Sequence, residues 1–313
     1  MTYAATILVP VAHQDDRWLR QCLTSAATQS VPCAVIVIPA TETPDSNHRI
    51  IDEIRHRYAN VAVTPQPADR FAKALNRGIA AAATDRVGFL LSDDWLMPTA
   101  VAACLEKDAD IVCTNVLLVD AAGKTVREQL PAVTQADYER RPTLADKAAF
   151  LEHFFLFKRQ ALCAVGGVDE MVGDVGPDDF DLIWTMLERG AGVALVSESL
   201  YVYRDHNGIR LSTRPVRDQL TDLAKVLDKH NVGGWRRLKM ITDHASWFGR
   251  RVTQVHAELS QGTLPTRLFF LWIRRIQTLW YCFTHPKRPW RQRPYKPEQA
   301  ARDRGPGHEN PGG

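Results

Sequence analysis

Short, continuous apolar runs alternate with segments whose apolar residues recur at helical spacing, and this alternation constrains the fold more than any other feature of the chain. Ala5–Pro10, Ala34–Ile38, Val61–Thr64, Val87–Leu91 and Asp110–Asn115 read as strands. Between them, Asp16 caps a helix whose Trp18, Leu19, Cys22, Leu23 and Ala26 share one face. Ile50, Ile51 and Ile54 mark a second helix, Arg70–Ala83 a third and Pro98–Lys107 a fourth. Strands that lack a polar face are covered on both sides, so the alternation predicts an α/β protein with a mostly parallel sheet flanked by helices. Further on, Val116–Arg127 reads as a hairpin centred on Ala122-Gly123. Then come Phe154–Phe157, a Gly166-Gly167 turn, a helix over Pro177–Arg189, and two short strands, Val193–Val196 and Leu200–Tyr203. From about Ser212 the pattern is helical and increasingly basic.

Within that frame, two acidic runs carry the chemistry. Ser92-Asp93-Asp94-Trp95 follows the Val87–Leu91 strand, which places Asp93 and Asp94 at a strand's carboxyl end, where open α/β sheets bind ligands. Pro177-Asp178-Asp179-Phe180-Asp181 opens a helix. Carboxylates at the first position can hold a divalent cation against a phosphate, and one at the second can take a proton from a hydroxyl. The pairing points to transfer of a group from a nucleotide diphosphate to an alcohol.

Composition narrows the partners. A net charge of +3 argues by itself for neither nucleic acid nor membrane. The six cysteines have no C-x-x-C pair and no metal-ligand spacing, and most lie inside apolar segments, which fits small hydrophobes in a reducing cytoplasm. Met1-Thr2-Tyr3-Ala4-Ala5 leads into a strand without a basic region and an apolar core, so no signal peptide is expected. No apolar run reaches the length of a membrane span.

Several ordered segments resemble the family 2 glycosyltransferases of the GT-A fold, a Rossmann-like architecture. Ile7-Leu8-Val9-Pro10 is similar to the family's opening strand, and Leu19–Pro32 to its first helix with the Gln-x-x-Pro turn. Leu75-Asn76-Arg77-Gly78-Ile79 resembles its Asn-x-Gly-Ile segment, and Phe89–Pro98 its metal-binding turn. Gly166-Gly167-Val168-Asp169-Glu170 and Asp178–Leu182 resemble the acceptor-side motifs, and Tyr203-Arg204-Asp205-His206 the closing Tyr-Arg-x-His. The resemblance covers roughly Ala5 to Ser212. Two positions depart from the pattern. The metal turn usually reads Asp-x-Asp-Asp, and here its first position is Leu91. The second strand usually ends in Asp-Asp-Gly-Ser, and here Pro39-Ala40-Thr41-Glu42 stands there, leaving Glu42 as the substitute reader of the donor's base.

The resemblance implies inverting, metal-dependent transfer of a sugar from a nucleotide-diphosphate donor to a hydroxyl of a saccharide or lipid-linked acceptor. Asp93 becomes the ligand of Mg²⁺ or Mn²⁺, against the plainer reading of a helix-capping turn. His206 binds the same cation or a diphosphate oxygen, or else hydrogen-bonds structurally. Asp179 becomes the general base with Asp178 as runner-up, while first-turn charge compensation also accounts for an acid there. Asp94 orients the turn or a sugar hydroxyl, and Ser92 contacts ribose. Arg70, with Lys73 and Arg77 on its face, reaches the nucleotide or forms a solvated basic stripe. Asn76 fixes its own turn or joins the donor site, on whose side Pro10 also lies.

Domains are expected at 1–212 (GT-A), 213–296 (a helical, basic, membrane-associating extension) and 297–313 (a disordered tail). In the extension, Leu268, Phe269, Trp272, Ile273, Ile276, Leu279, Trp280 and Phe283 share one helical face, followed by Lys287, Arg288, Arg291, Arg293 and Lys296. An aromatic face with basic flanks suits an anionic membrane surface, and a helix docked on the catalytic domain is the other reading. The expected location is cytoplasmic, peripheral at the inner face of the cell membrane, and no nucleic-acid partner is expected. Two rivals remain: a nucleotidyltransferase, disfavoured because Val11-Ala12-His13-Gln14 is neither Gly-rich nor basic, and a degenerate GT-A binding module, favoured by Leu91 and Pro39-Ala40.

Overall fold

The computed structural model describes residues 2–65, 71–127, 134–151, 153–172, 178–206, 216–244, 264–284 and 292–293. Arg70 and the tail 297–313 lie outside them. The chain divides into two compact units, Met1–Asp169 with Asp178–Gly208, and Glu170–Pro177 with Ile209–Gly313.

The first unit begins with the alternation read from the sequence. Strands β1 (Ala5–Val11), β2 (Cys33–Pro39), β3 (Val61–Val63) and β4 (Arg86–Phe89) run parallel, with β1 between β2 and β4 and with β3 outside β2. Helices α1 (Asp16–Ala27), α2 (Asp45–Arg57) and α3 (Phe71–Ala81) make the connections. All seven residues of β1 are buried, as a strand covered on both faces must be. One face packs on Leu19, Cys22, Leu23 and Ala26 of α1 and Ile50, Ile51 and Ile54 of α2. Each leucine and isoleucine among them contributes about 1.5–3 kcal/mol when fully buried. The cap of α1 is Asp15 rather than Asp16: its carboxylate accepts the N–H groups of Arg17 and Trp18 at 2.9 and 3.3 Å, and Asp16 lies in the first turn. On the other face, Gly78 lets α3 approach closely, since a Cβ there would lie 2.7 Å from Leu8 and 2.8 Å from Ile38.

The second half of the sheet is mixed. It contains β5 (Trp95–Leu96), β6 (Ile111–Asp120), β7 (Thr125–Arg127), β8 (Phe155–Lys158) and β9 (Val193–Asp205). Among the described residues the order is β3-β2-β1-β4-β8-β6-β9-β5, with β7 paired to β6. Strand β8 enters antiparallel between β4 and β6, and β9 pairs parallel with β6. The two short strands expected at Val193–Val196 and Leu200–Tyr203 are one strand, because Ser197 and Glu198 bulge outward. The register jumps from Thr114↔Val196 to Asn115↔Ser199, and the Asn115 amide donates to the Ser197 carbonyl at 2.8 Å. A bulge of this kind keeps pairing across a polar interruption that reads locally as a strand end. Strand β6 likewise runs through buried Thr114 and Asn115 into the hairpin.

Short helices α4 (Ala100–Leu105), α5 (Gln135–Glu139), α6 (Leu144–Ala148) and α7 (Arg159–Ala164) and the longer α8 (Asp178–Glu188) complete this unit. The second unit contains α9 (Val216–Lys229), α10 (Gly234–His244) and α11 (Leu264–Thr284). There Arg237, wholly buried, pairs with Asp228 at 2.8 Å and donates to the carbonyls of Val232 and Ala224 at 3.2 and 3.1 Å.

Candidate active site

The carboxyl ends of β1, β2 and β4 bring together three loops. Asn47, buried at the start of α2, binds the first two: its Oδ1 accepts the Gln14 N–H at 2.9 Å, and its Nδ2 donates to the Gln14 carbonyl at 2.9 Å and to Asp16 at 2.7 Å. So held, Gln14 extends Nε2 to the Ser92 hydroxyl at 3.2 Å, which joins the β1 loop to the acidic turn after β4. In the β2 loop, Ala40 N–H and Thr43 Oγ1 donate to the Val11 carbonyl at 2.8 and 3.0 Å, leaving Glu42 exposed at the rim.

The two adjacent acids of the turn face different surroundings. Asp94 is buried, 1% exposed. Its Oδ2 accepts the Tyr201 hydroxyl at 2.5 Å and its Oδ1 the Arg204 N–H at 2.7 Å, which fixes the turn to β9. Burial, then the charge of Asp94 and its hydrogen bond, push the Tyr201 phenol well above its ordinary value, so it remains a donor. Asp93 keeps 14% of its side-chain surface accessible and accepts His206 Nε2 at 3.0 Å. The His206 imidazole packs on the Trp18 ring, centroids 4.5 Å apart.

Arg204 braces this arrangement. Its guanidinium donates to the Asp93 carbonyl at 3.0 Å, to Ala121 in the hairpin turn at 3.1 Å and to Gln21 of α1 at 2.7 Å. It also lies over the rings of Trp18 and Trp95, at 5.0 and 4.8 Å. Burial lowers its pKa from the ordinary value, while the carboxylates of Asp94 and Asp93 act the other way. A buried guanidinium so fully hydrogen-bonded fixes the spacing of β4, β9, α1 and the hairpin at once. Behind the turn, the Cys22 thiol donates to the Leu91 carbonyl at 3.3 Å. Burial, reinforced by Asp94 and Asp93, pushes that thiol well above its ordinary value. Burial likewise raises Cys33 to about 11 and Cys104 to about 12, the behaviour of cysteines packed as hydrophobes.

The second acidic run opens α8. Asp178 and Asp181 are buried, and Asp179 presents 46% of its side-chain surface. Burial, then the Asp179 charge, pushes the Asp178 carboxyl well above the usual carboxylate range. Asp179 Oδ2 lies 3.5 Å from His153 Nε2, and its Oδ1 accepts the Phe180 N–H at 2.7 Å. The His153 ring packs 5.6 Å from Tyr201 and 5.5 Å from Phe155. Since Tyr201 also holds Asp94, a chain of contacting side chains, Asp94–Tyr201–His153–Asp179, connects the two acidic runs.

Of the residues singled out in the sequence, Ser92, Asp93, Asp94, His206 and Asp179 are thus linked. Asn76 is engaged elsewhere: its amide donates to the Val168 carbonyl and accepts the Val168 N–H, both at 2.8 Å, fastening α3 to the Gly166-Gly167 turn. Gly167, at φ +76°, leaves room for it, since a Cβ would lie 2.3 Å from Asn76 Oδ1. Pro10 is buried within β1 opposite Ile38. Gln14, Gln21, Asn47, His153 and Tyr201 were not singled out, and only the polarity of Gln14 and Asn47 beside strand ends hinted at them.

The donor set suits a hard divalent cation. A carboxylate and an imidazole stand side by side, and among the described residues no cluster of three or more His, Cys, Asp or Glu could hold a metal alone. Asp93 and His206 could hold an ion only with further ligands such as diphosphate oxygens and water.

Comparison with known proteins agrees with this architecture. TarS residues 1–349 from S. aureus, solved in complex with UDP-GlcNAc, superpose with a TM-score of 0.57 at 17% identity, over 88% of this chain and 81% of that one. Mannosyltransferase PcManGT from Pyrobaculum calidifontis, in complex with GDP-Man and Mn²⁺, gives 0.54 at 16% identity, over 89% and 87%. The shared fold is GT-A. In sequence, the O-antigen biosynthesis protein RfbC of Myxococcus xanthus is 26% identical over 233 residues, 72% of this chain and 18% of that protein. The chain thus spans under a fifth of that relative's length. The profile described as "Glycosyltransferase like family 2" matches residues 4–231, and the chain belongs to that family of glycosyltransferases.

Proposed function

We propose that this protein transfers a sugar, with inversion, from a nucleotide-diphosphate donor to a hydroxyl of a saccharide or lipid-linked acceptor, on a catalytic domain covering residues 1–212 with a helical extension at 213–296. The observation that carries the reading is the Asp93–His206 pair, 113 residues apart in sequence and 3.0 Å apart in space at the carboxyl end of the sheet. UDP-GlcNAc and GDP-Man in complexes of two similar folds support a nucleotide-sugar donor, and Mn²⁺ in one of them supports a divalent cation.

In this mechanism the donor lies across the carboxyl ends of β1, β2 and β4. Ser92, Gln14 and Glu42 would border the nucleoside, and Asp93 and His206 would hold Mg²⁺ or Mn²⁺. When bound, such a cation neutralises charge on the departing nucleotide, worth several kcal/mol of barrier. Asp179, the accessible acid of α8, takes the proton from the acceptor hydroxyl as its oxygen bonds to the anomeric carbon. The bond to the nucleotide diphosphate breaks on the opposite face, inverting the configuration. His153, at 3.5 Å, positions the Asp179 carboxylate.

A thermal-shift screen of nucleotide sugars with and without Mn²⁺ identifies the donor, and calorimetry and nucleotide release then test the roles. Asp93→Ala is expected to abolish the cation-dependent part of donor binding. Asp179→Asn is expected to bind donor and lose transfer. Normal donor binding by Asp93→Ala refutes the metal assignment, and normal turnover by Asp179→Asn refutes the base.

A further inference from the structure

We propose that α11 seats the second unit on an anionic lipid bilayer, lying in the plane of the interface. The inference goes beyond sugar transfer and stands independently of it. Trp272, Ile276, Trp280 and Phe283 are 59%, 58%, 71% and 59% exposed. At 3.6 residues per turn they occupy one arc of roughly 80°. A helix on a water-facing surface turns its polar side outward, whereas α11 exposes this apolar arc beside Gln277 and Thr284. The arc is bounded on both sides: Ile273 and Leu279, which flank it, are half-buried, and beyond Leu279 Arg275 donates to Asp243 of α10 at 2.9 Å. Trp235, at the start of α10, is 85% exposed. Scattered exposed apolar residues are ordinary, but a contiguous aromatic strip on one helix marks a contact surface.

Charge identifies the occupant. From Leu264 to Lys296 the sequence has eight Lys and Arg and no Asp or Glu. The Arg293 N–H bonds to Asp228 Oδ1 at 2.8 Å and Gln292 Nε2 to Asn231 Oδ1 at 2.5 Å, so part of this basic stretch is fastened to α9 and the turn after it. Gly233 leaves space for that contact, since a Cβ there would lie 2.1 Å from Gln292 Oε1. The surface that fits is negatively charged outside and apolar beneath, as an anionic leaflet is. Tryptophan favours that boundary because its ring is apolar and its N–H polar. A second copy of this chain would bring the same positive charge, which opposes self-association here. Among the described residues no helix is long and apolar enough to cross a membrane, so α11 lies on the bilayer.

The test is co-sedimentation of the full-length protein with vesicles of phosphatidylglycerol and phosphatidylcholine, and with vesicles of phosphatidylcholine alone. Binding is expected to the anionic vesicles and to weaken at high salt. Trp272→Ser combined with Trp280→Ser is expected to lower the partition coefficient roughly ten-fold or more, since it removes two exposed apolar anchors that enter the interface on binding. Lys287→Gln combined with Arg288→Gln is expected to lower anionic binding by about ten-fold, from the loss of two interfacial charges. Far-UV circular dichroism checks that each variant is folded. The proposal is overturned if the wild-type protein stays in the supernatant, if it binds neutral vesicles equally, or if the tryptophan pair variant binds as before. A dimer in sedimentation velocity that the tryptophan substitutions dissolve also overturns it, since the strip would then be a self-association surface.

Discussion

Adjacent acids in one turn are expected to fail in opposite ways. In Asp94→Ala, the buried Tyr201 hydroxyl and Arg204 N–H lose the acceptors that now stand at 2.5 and 2.7 Å. Each stranded donor costs about 1–3 kcal/mol, and the Arg204 guanidinium also loses a nearby counter-charge, giving about 4 kcal/mol in all. For a unit of this size that corresponds to a fall in melting temperature of roughly 8–16 °C. Asp93→Asn keeps an oxygen for His206 and the shape of a largely covered side chain, so its cost is expected to be smaller, about 1 kcal/mol. Calorimetric or fluorescence melting measures stability, and calorimetric titration with the donor and Mn²⁺ measures binding. Asp94→Ala is expected to melt early, while Asp93→Asn melts near wild type and has lost cation-dependent binding. If Asp94→Ala melts within about 2 °C of wild type, a shift worth under about 1 kcal/mol, the division into a structural and a functional acid is wrong.

Two further outcomes follow from α8 and its neighbour. His153→Phe keeps the ring packing on Tyr201 and Phe155 but removes the imidazole beside Asp179. Turnover is expected to fall roughly ten-fold with donor affinity unchanged and the pH profile of kcat displaced, whereas unaltered turnover would leave His153 a packing residue only. Asp178 has a folded pKa raised above its ordinary 3.8, so its contribution to stability is complete below that value and is lost as pH rises through the folded value. Asp178→Asn is therefore expected to melt above wild type at pH 8, with the gap closing toward pH 4. A gap independent of pH would show that burial of this carboxyl does not govern stability there.

How far the site was legible follows from which of its contacts are local. The strands β1, β2 and β4, and the helix α8, come from periodicity within short windows. Asp93 and Asp179 were found because acidic residues cluster next to a strand end and a helix start. The same windows misplaced the α1 cap by one residue and split β9 at Ser197-Glu198, because a polar pair ends a strand locally and only pairing with β6 reveals a bulge. They left Asp94 between orienting the turn and binding a sugar hydroxyl, and Asn76 between fixing its turn and joining the donor site, because the partners lie far off: Asp94 bonds to residues more than 100 positions away and Asn76 to Val168, 92 positions on.

The sequence alone determined the α/β alternation, the position of both acidic runs and the aromatic, acid-free character of the C-terminal helix, since each is written in neighbouring residues. Only the tertiary structure decided which acid is buried, which faces solvent, and which edge of α11 remains outward. Those outcomes depend on Arg204, Tyr201, His153 and Arg275 arriving from distant segments, and burial and hydrogen-bond partnership arise only when the chain has closed on itself.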